Sequence, residues 1–496
     1  MNFLSGLLAL VPFAMLCLAG ANGAEPVFAR HLPAKMVSSA NLPVPEKQRA
    51  PFGWHLGTIT SADKALLVLK WETLPADAMP THLRIAIGLD ERDEKLVEAV
   101  LPQSGRVLGT LDIRFATQFQ VYQLALTPAD VVDVAREGVA LRLARGSDLE
   151  ILTGGADVPR ALLPHLLVPG TAAPMDEFFA RMDSLACAQQ FGWMEGCVMD
   201  GLLDLGELPR HATMKEMARK HLGLFFKDGQ LIYENHVSAP SDGKVYGIEG
   251  TLPFAALARV EPQSALLELP LKAWEARRRP TGSIQDGSHM SSEGAYTVAY
   301  PLAFIAKVRG DERMMQDALY QVRIRQARFF DGSEFWRTYD DKNAGRGNRN
   351  WARGIAWQIL GLVRTLKVAK DRKDITDLII HLQRFAAWAI TLQRDDGLWS
   401  VFAKDHSLTP DTAGSAGIAA ALAIGVKNGW LDDKAKAAAQ KAFASLQTHL
   451  TPDGFLDGVS QSNKGGEGLQ RGDYRAIYQM GMGLMAQLVA ALEQPQ

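Results

Sequence analysis

Five Asp-Gly pairs recur through the second half of the chain, between segments whose apolar residues follow helical spacing. They are Asp228-Gly229, Asp286-Gly287, Asp331-Gly332, Asp396-Gly397 and Asp453-Gly454. A glycine after an aspartate supplies the positive φ that a tight turn requires. With about twelve helical segments between residues 175 and 492, the pairs predict one repeated point in a series of helical hairpins. Six hairpins indicate a closed (α/α)6 toroid, although Asp-Gly pairs are also common in ordinary loops.

The chain before residue 158 has a different pattern. Short apolar runs, several with period-two alternation, occur at residues 65–69, 83–87, 119–124 and 139–143, and Pro, Gly and Asp turns separate them. This spacing predicts an N-terminal β-sandwich-like domain over residues 25–157. Residues 158–174, which are rich in Pro and Gly, predict a linker. The predicted fold is therefore mainly α: a toroid over residues 175–496 that follows a β domain.

The first 24 residues read as a secretory signal peptide. They carry no charge, and an apolar run from Leu4 to Leu18 ends in small residues. Cleavage between Ala21 and Ala24 would leave a mature chain with no membrane span, in a secreted or periplasmic location. A retained membrane anchor is the alternative, but the run is short for spanning a bilayer.

Charge and cysteine usage exclude several classes of protein. The formal net charge is −2 and the basic residues are scattered, so no footprint for nucleic acid is present. After the predicted leader only Cys187 and Cys197 remain, which form either one bridge or two buried thiols. The sequence contains no HExxH, EF-hand, clustered Cys/His or phosphate-loop pattern, so we expect no metal and no cofactor.

Aromatic and basic side chains gather at the entrance of one long apolar helical segment. Trp351, Arg353 and Trp357 open this segment, and Arg337 precedes it in a stretch with carboxylates. Guanidinium groups bind carboxylates, and indole faces stack on pyranose rings. We expect both arginines to bind substrate carboxylate or hydroxyl groups and both tryptophans to be sugar platforms, with Trp357 the likelier core residue. The expected partner is an oligosaccharide that contains a uronic acid.

Four motifs carry a resemblance to a known family: Trp193-Met194-Glu195-Gly196-Cys197-Val198-Met199, Trp351-Ala352-Arg353-Gly354-Ile355-Ala356-Trp357, Asp411-Thr412-Ala413-Gly414-Ser415-Ala416 and Gly429-Trp430-Leu431-Asp432. The second is similar to the family motif WGRGNGW and keeps both tryptophans and the arginine. On these motifs, residues from about 175 to 492 resemble the unsaturated uronyl hydrolases of glycoside hydrolase families 88 and 105. The resemblance implies an enzyme acting on the unsaturated sugars that polysaccharide lyases leave.

The sequence departs from that family at its functional carboxylates. Glu293 and Glu249 stand where the family has aspartates, and Arg337 stands where it has a histidine. Two carboxyl groups opening neighbouring inner helices would face one cleft, and glycosidic cleavage requires such a pair. Glu293 also fits an ordinary helix start. Asp286 is a third catalytic candidate, although it can equally shape its own turn.

Three further polar side chains stand beside these acids in the sequence: Tyr246, His289 and Tyr296. They are candidate hydrogen-bond donors to sugar hydroxyls. Each also has a place in a competing interpretation. A polysaccharide lyase on an (α/α) toroid would need Tyr246, Tyr296 or His289 as base, with Arg337 neutralising a carboxylate.

The expected function is a glycoside hydrolase that removes a terminal, unsaturated uronyl residue by carboxylate acid/base chemistry. The resemblance implies that a carboxyl group protonates the C4=C5 double bond, water adds at C5, and the resulting hemiketal collapses. The exchange of aspartate for glutamate at both positions leaves open direct hydrolysis of saturated β-glucuronides. The residues are also compatible with the polysaccharide lyase and with a non-catalytic sugar-binding protein.

Overall fold

The computed structural model describes residues 25–40, 42–75 and 77–493. The predicted signal peptide, residues 1–24, lies outside the described residues. Within the described ranges, no helix has both the length and the apolar character needed to cross a membrane. Cys187 and Cys197 are both buried and both free, so the two-thiol alternative holds for this pair.

Antiparallel strands dominate the part of the chain before residue 170. Helix α1 (Pro128–Glu137) begins with a capping box at Thr127 and Asp130. The strands are β1 (Arg30–Pro33), β2 (Lys35–Ser38), β3 (His55–Ile59), β4 (Leu67–Lys70), β5 (His82–Ala86), β6 (Glu94–Val100), β7 (Val107–Arg114), β8 (Val121–Ala125), β9 (Val139–Arg145), β10 (Leu149–Gly154) and β11 (His165–Val168).

These strands form three small sheets. One has the order β2-β4-β9-β6-β7, a second has the order β1-β11-β5-β8, and β3 pairs with β10. The sheets share one apolar core because alternate side chains of their strands are buried together, among them Leu69, Leu83, Ile85, Val97 and Leu141. Strands β4, β5, β8 and β9 confirm the four predicted runs within a few residues. The description as a sandwich stays a prediction.

The linker predicted at residues 158–174 is not a free connection. Strand β11 lies inside this range, is buried along its whole length, and pairs with β1 on one side and β5 on the other. The Pro and Gly residues that suggested a linker flank an apolar stretch, His165-Leu166-Leu167-Val168. Burial of that stretch favours pairing within a sheet, so the segment belongs to the β region.

From residue 174 onward the chain is mainly helical. The helices are α2 (Pro174–Met182), α3 (Trp193–Leu205), α4 (Met214–Phe225), α5 (Pro253–Val260), α6 (Glu268–Glu275), α7 (Tyr300–Arg309), α8 (Glu312–Phe329), α9 (Ala352–Val368), α10 (Thr376–Thr391), α11 (Thr412–Lys427), α12 (Asp433–Gln447), α13 (Gly466–Arg471) and α14 (Met480–Leu492). Short strands lie in the loops: β12 (Phe226–Lys227), β13 (Gln230–Leu231), β14 (His289–Ser291), β15 (Trp336–Asp340), β16 (Arg346–Arg349), β17 (Val459–Ser460) and β18 (Arg475–Ala476).

Six of these helices close a ring. Helix α3 contacts α5, and the contacts continue through α7, α9, α11 and α14 back to α3. Helices α9, α11 and α14 are buried along nearly their whole length. The remaining long helices lie outside this ring and expose one face. The hairpin repeat inferred from the sequence is therefore the repeat of an (α/α) toroid.

Each Asp-Gly pair lies in the loop that leads from an outer helix to the next inner one. The five glycines, Gly229, Gly287, Gly332, Gly397 and Gly454, have φ values of 71°, 60°, 101°, 90° and 86°. This conformation is strained for residues with a Cβ atom, so the predicted requirement for glycine is confirmed at all five turns.

The last Asp-Gly turn also joins the β region to the toroid. Asp453 is fully buried, and its carboxylate accepts hydrogen bonds from Arg84 Nη1 at 2.6 and 2.7 Å and lies 2.8 Å from His31 Nε2. Burial by itself would raise the pKa of Asp453, but Arg84, His31 and Arg181 outweigh it and hold that pKa well below its usual range. A buried, charge-assisted network thus connects β1 and β5 with the turn after α12.

Replacing Asp453 by Ala should destabilise the whole chain, because Arg84 would stay buried without its counter-charge. We expect a loss of about 3–5 kcal/mol in the free energy of unfolding, measured by denaturant titration. Asp396→Ala is the matched control, since Asp396 opens an equivalent Asp-Gly turn but pairs with Arg394 at the surface. Its cost should stay below about 1 kcal/mol. Equal losses in the two variants would contradict the special role of Asp453.

Candidate active site

The two predicted carboxylates lie at the starts of neighbouring inner helices. Glu249 opens a 3-10 turn, Glu249–Thr251, that leads directly into α5. Glu293 comes two residues before a π-helical turn, Ala295–Ala299, that leads into α7. The hydroxyl of Thr251 donates to the carbonyl of Thr297 and ties the two elements together. Such π-helical turns are frequent at functional sites.

A buried arginine sets the conformation of the chain at Glu293. Arg325 donates to the carbonyl oxygens of Ser291 at 3.1 Å and Ile284 at 2.6 Å. A Cβ atom on Gly294 would lie 2.1 Å from Arg325 Nη2, so only glycine fits directly after Glu293. The loop that carries the carboxylate is therefore rigid on the side facing the outer helix α8.

Arg337 binds Glu293 in an ion pair. Its Nε and Nη2 atoms lie 2.8 and 2.7 Å from Oε1 of Glu293. The second oxygen, Oε2, is buried and accepts no hydrogen bond from any residue in the described ranges. Strand β15 supplies Arg337, and its backbone carbonyl accepts from Ser292 N at 2.8 Å. Glu293 is thus held beside a fixed positive charge with one oxygen free to accept a ligand's hydrogen bond.

Glu249 lies in a different electrostatic environment. Its side chain is partly exposed and makes no hydrogen bond to the part of the chain that the structure describes. Burial, followed by the negative charge of Glu293, raises the pKa of Glu249 to about 7, although Arg337 opposes the shift. Near neutral pH this carboxyl therefore populates both its protonated and its ionised form.

Asp286 supports the loop in front of Glu249. Its Oδ2 accepts from Ile248 N at 3.1 Å, and its Oδ1 accepts from Arg277 Nε at 3.0 Å. Both oxygens of Asp286 therefore accept hydrogen bonds that shape its turn. The sequence allowed this structural role as the alternative to a catalytic one. Its charge also contributes to the raised pKa of Glu249.

The sequence predicted that Arg353 binds substrate, but its charge does not face a cleft. Its side chain is 1% exposed, and its Nε lies 3.1 Å from Oδ2 of Asp411. Its Nη2 donates to Gln470 Oε1 at 3.0 Å and Ser460 Oγ at 3.1 Å. Arg353 therefore joins α9 to the start of α11 and to β17, and its charge is matched inside the protein. Of the two predicted carboxylate partners, only Arg337 stands beside the paired acids.

Both predicted sugar platforms are packed inside the toroid, and so is one predicted donor. Trp351 is 4% exposed, with the guanidinium groups of Arg337 and Arg353 over its ring at 5.3 and 4.8 Å. Trp357 packs against Trp193 at 5.3 Å. The Tyr296 hydroxyl donates to Asp200 at 2.6 Å in the buried core. The stacking role of the tryptophans and the donor role of Tyr296 are therefore wrong, because these side chains are buried and packed against other residues of the protein.

Two of the predicted polar side chains do lie near the paired carboxyl groups. We call this end of the toroid, where Glu249 and Glu293 begin inner helices, the mouth. The Tyr246 hydroxyl donates to the Phe191 carbonyl at 3.4 Å, and burial together with the charge of Glu249 raises its pKa well above the usual range. The His289 side chain is 67% exposed, with Nε2 3.3 Å from Asp340 Oδ2. Tyr246 therefore neighbours Glu249, and His289 marks the outer rim.

Asn463 belongs to the site although no feature of the sequence pointed to it. With its amide oxygen turned toward Arg337, it accepts from Nη1 and Nη2 at 3.2 Å each. Nη2 of Arg337 therefore contacts both Asn463 and Glu293, and Asn463 helps to hold the arginine beside the carboxylate. Asn463 lies in a polar loop between α12 and α13 and carries no motif, so no local signal could have identified it.

Comparisons with known proteins agree with this geometry. Residues 293–493 match the family model described as Glycosyl Hydrolase Family 88. Over 162 residues the chain is 27% identical to an unsaturated 3S-rhamnoglycuronyl hydrolase of Alteromonas sp. (strain LOR). The chain resembles glycoside hydrolase families 88 and 105. That alignment covers 32% of this chain and 38% of the Alteromonas protein, so the match spans less than half of the relative's length.

Solved structures show the same fold for the helical part. A possible member of the GH105 family from Salmonella enterica serovar Paratyphi A superimposes with a TM-score of 0.53 at 18% identity, over 62% of this chain and 83% of that one. A family 105 glycoside hydrolase from C. acetobutylicum gives a TM-score of 0.53 at 18% identity, over 64% of this chain and 98% of that one. The toroid is thus the fold of these family 105 structures.

Glu293→Gln should lower the pKa of Glu249 below about 7, because the neighbouring negative charge that raises it is removed while Arg337 stays. The pKa can be followed by NMR of protein with ¹³C-labelled glutamate carboxyls, assigned with a Glu249→Gln variant. Glu334→Gln is the control, because Glu334 pairs with Lys404 at the surface. A pKa of Glu249 that stays at about 7 in Glu293→Gln would show that the two carboxyl groups do not interact.

Proposed function

We propose that this chain is a glycoside hydrolase that removes a terminal unsaturated uronyl residue from oligosaccharides. The observation that carries the proposal is the unequal carboxyl pair at the mouth of the toroid. Glu293 is fixed beside Arg337, while Glu249 has a pKa raised to about 7. A proton donor with a pKa near working pH, next to a carboxylate paired with an arginine, suits acid/base work on a sugar.

In this mechanism Glu249 acts as acid and then as base. Its proton goes to C4 of the C4=C5 double bond, which places positive charge at C5 and on the ring oxygen. The ionised Glu249 then accepts a proton from a water molecule as that water adds at C5. The hemiketal that forms collapses and releases the remaining oligosaccharide. One residue can serve both steps because both of its protonation states are populated near neutral pH.

The surrounding groups favour a negatively charged sugar. The N-terminal ends of the inner helices α5, α7, α9 and α11 carry Glu249, Glu293, Trp351 and Asp411, so their partial positive charges converge at this mouth. Arg337 adds a full positive charge beside both acids, and its pKa is raised because Glu293 and Glu249 outweigh the effect of burial. We propose that the substrate carboxylate lies near Arg337 and that a sugar hydroxyl donates to Oε2 of Glu293.

Direct hydrolysis of saturated β-glucuronides is the second candidate. The same unequal pair favours it, since a raised-pKa carboxyl could protonate the leaving oxygen while an ionised carboxylate activates water. A polysaccharide lyase has less support. Tyr296 is buried against Asp200, and the raised pKa of Tyr246 makes its hydroxyl a poor base.

The names of similar proteins agree with the first candidate. The Alteromonas relative is named an unsaturated 3S-rhamnoglycuronyl hydrolase, and the family model is that of Glycosyl Hydrolase Family 88. We further propose that residues 175–493 form the catalytic unit, that the preceding sheets form a sandwich-like accessory region, and that the protein is secreted or periplasmic.

Glu249→Gln should abolish turnover, because glutamine cannot donate the proton to C4. We expect kcat to fall by about a hundredfold or more. The assay follows loss of absorbance at 235 nm from unsaturated oligosaccharides of several lyase digests, and in parallel aglycone release from saturated aryl β-glucuronides. Asp286→Asn is the comparison variant, since its amide oxygen can keep the hydrogen bond from Ile248 N, and it should retain most of the activity.

The outcomes separate the candidates. Loss of 235 nm absorbance that depends on Glu249 supports hydration, whereas aglycone release from saturated substrate alone supports direct hydrolysis. A gain of absorbance at 235 nm from an intact polysaccharide would establish a lyase. Activity of Glu249→Gln equal to the parent chain would remove Glu249 from the mechanism.

Activity should also fall as the pH rises through about 7. The acting form of Glu249 in the first step is the protonated acid, and its fraction decreases above its pKa of about 7. A profile of kcat against pH on the unsaturated substrate measures this descending limb. A limb that begins only above pH 9 would assign the proton donor to another group.

A further inference from the structure

One loop connects the carboxyl pair with the N-terminal sheets. The 3-10 turn Asn463–Gly465 places Asn463 on Arg337, which binds Glu293. The next residue, Lys464, turns the other way and binds Asp90, and its Nζ also donates to the Ala116 carbonyl at 3.4 Å. Asn463, which contacts the ion pair of Arg337 and Glu293, is therefore followed directly in the chain by Lys464, which pairs with Asp90 of the β region.

The residues beside Glu249 are also connected to Asp90. Tyr246 lies beside Glu249, and its ring centroid is 5.4 Å from that of His236. The carbonyl of His236 accepts a hydrogen bond from Arg92 Nη2, and Arg92 Nε lies 3.0 Å from Oδ1 of Asp90. The neighbours of Glu249 and those of Glu293 therefore meet at one group, Asp90 with Arg92 and Lys464.

This group, which we call the Asp90 cluster, has one cation exposed to solvent. It consists of one carboxylate, Asp90, between two cations, Arg92 and Lys464. The Asp90 side chain is fully buried, and its backbone N donates to Ser238 Oγ at 2.7 Å. Lys464 is largely buried, whereas the Arg92 side chain is 44% exposed. Lys464 pairs with Asp90, and Glu91, whose charge also acts on Lys464, pairs with Lys95, so Arg92 is the cation of the cluster that faces solvent.

Arg92 has one donor atom, Nη1, that can bind a ligand. Its Nε and Nη2 are engaged with Asp90 and His236, while Nη1 makes no hydrogen bond to any of the residues that the structure describes. A guanidinium group fixed at two donors and open at a third is well suited to an oxyanion, because little side-chain freedom is lost on binding. The exposed ring of His236 stands next to it and can add a further contact.

We propose that the Asp90 cluster is a second anion-binding subsite, which holds a sulfate or carboxylate group on the sugar joined to the uronyl residue. Arg92 and Lys464 are its binding residues, and the N-terminal sheets thereby take part in substrate selection. This inference rests on the proposed function, because the subsite would bind another sugar of the same substrate. It assigns to the β region a role that the toroid alone does not supply.

The test compares two unsaturated disaccharides from lyase digests that differ only in a sulfate on the reducing-end sugar, together with one that carries a carboxylate there. Wild-type protein should show a lower KM for the anionic substrates. Arg92→Gln should raise KM for them by about tenfold, as expected for loss of a charge-assisted hydrogen bond, and change the neutral substrate less than twofold. Arg142→Gln is the matched control, since Arg142 pairs with Glu98 on the sheets at similar exposure.

Failure of this inference is distinguishable from failure of the proposed function. Turnover of all three disaccharides with equal KM, unchanged in Arg92→Gln, would overturn the subsite and leave the hydrolase standing. Equal loss on anionic and neutral substrates would also overturn it, because Arg92 would then only support the fold of the mouth. If none of the disaccharides is turned over, the hydrolase proposal fails, and calorimetric Kd values for the same sugars decide the subsite by the same selectivity. A preference for sulfate over carboxylate, or the reverse, identifies which oxyanion the cluster takes.

Discussion

The common direction of the inner helices is the constraint on which the rest of this structure depends. Because each hairpin runs from an outer helix to an inner one, every inner helix begins at the same end of the toroid. Glu249, Glu293, Trp351 and Asp411 all stand at such beginnings. Six partial positive charges at one end favour anions there, and the same alignment places partial negative charges at the other end. The far end accordingly collects cations around a cavity of about 530 Å³, including Arg259, Lys307, Arg364 and Lys367.

Charge at the mouth is divided between two buried arginines with different tasks. Arg353 is matched by Asp411 and joins neighbouring inner helices, so its charge serves the ring. Arg337 comes from a short strand in a loop, contacts both Asn463 and Glu293, and lies beside the paired acids. This division leaves Glu249 as the acid without a cation of its own. The pKa of Glu249 is raised because it is buried beside the negative charge of Glu293 and has no ion-pair partner of its own.

Repetition made much of the fold predictable. The Asp-Gly pairs marked a repeated turn, the helical segments indicated six hairpins, and the period-two runs predicted four strands, because these signals depend on local backbone geometry. The approach of Glu249 to Glu293 was predictable for a related reason, since both mark helix starts. Trp351, Trp357 and Tyr296 were placed wrongly because nearness to a helix start does not say whether a side chain points into the mouth or down the packed axis. Asn463 and Asp90 depend on contacts between distant segments, which no spacing in a single sequence encodes.

The buried carboxylate of Asp453 has a consequence for how this protein can change over evolutionary time. It belongs to the toroid by sequence, yet Arg84 and His31, its strongest partners, come from the sheets. Gln461 and Gln479 of the toroid likewise donate to backbone carbonyls of the β region. A gene fusion that exchanged the N-terminal region for an unrelated module would leave these groups without hydrogen-bond partners in a buried interface. The sheets and the toroid are therefore expected to be inherited together, as one unit of recombination, although the family match lies within the toroid.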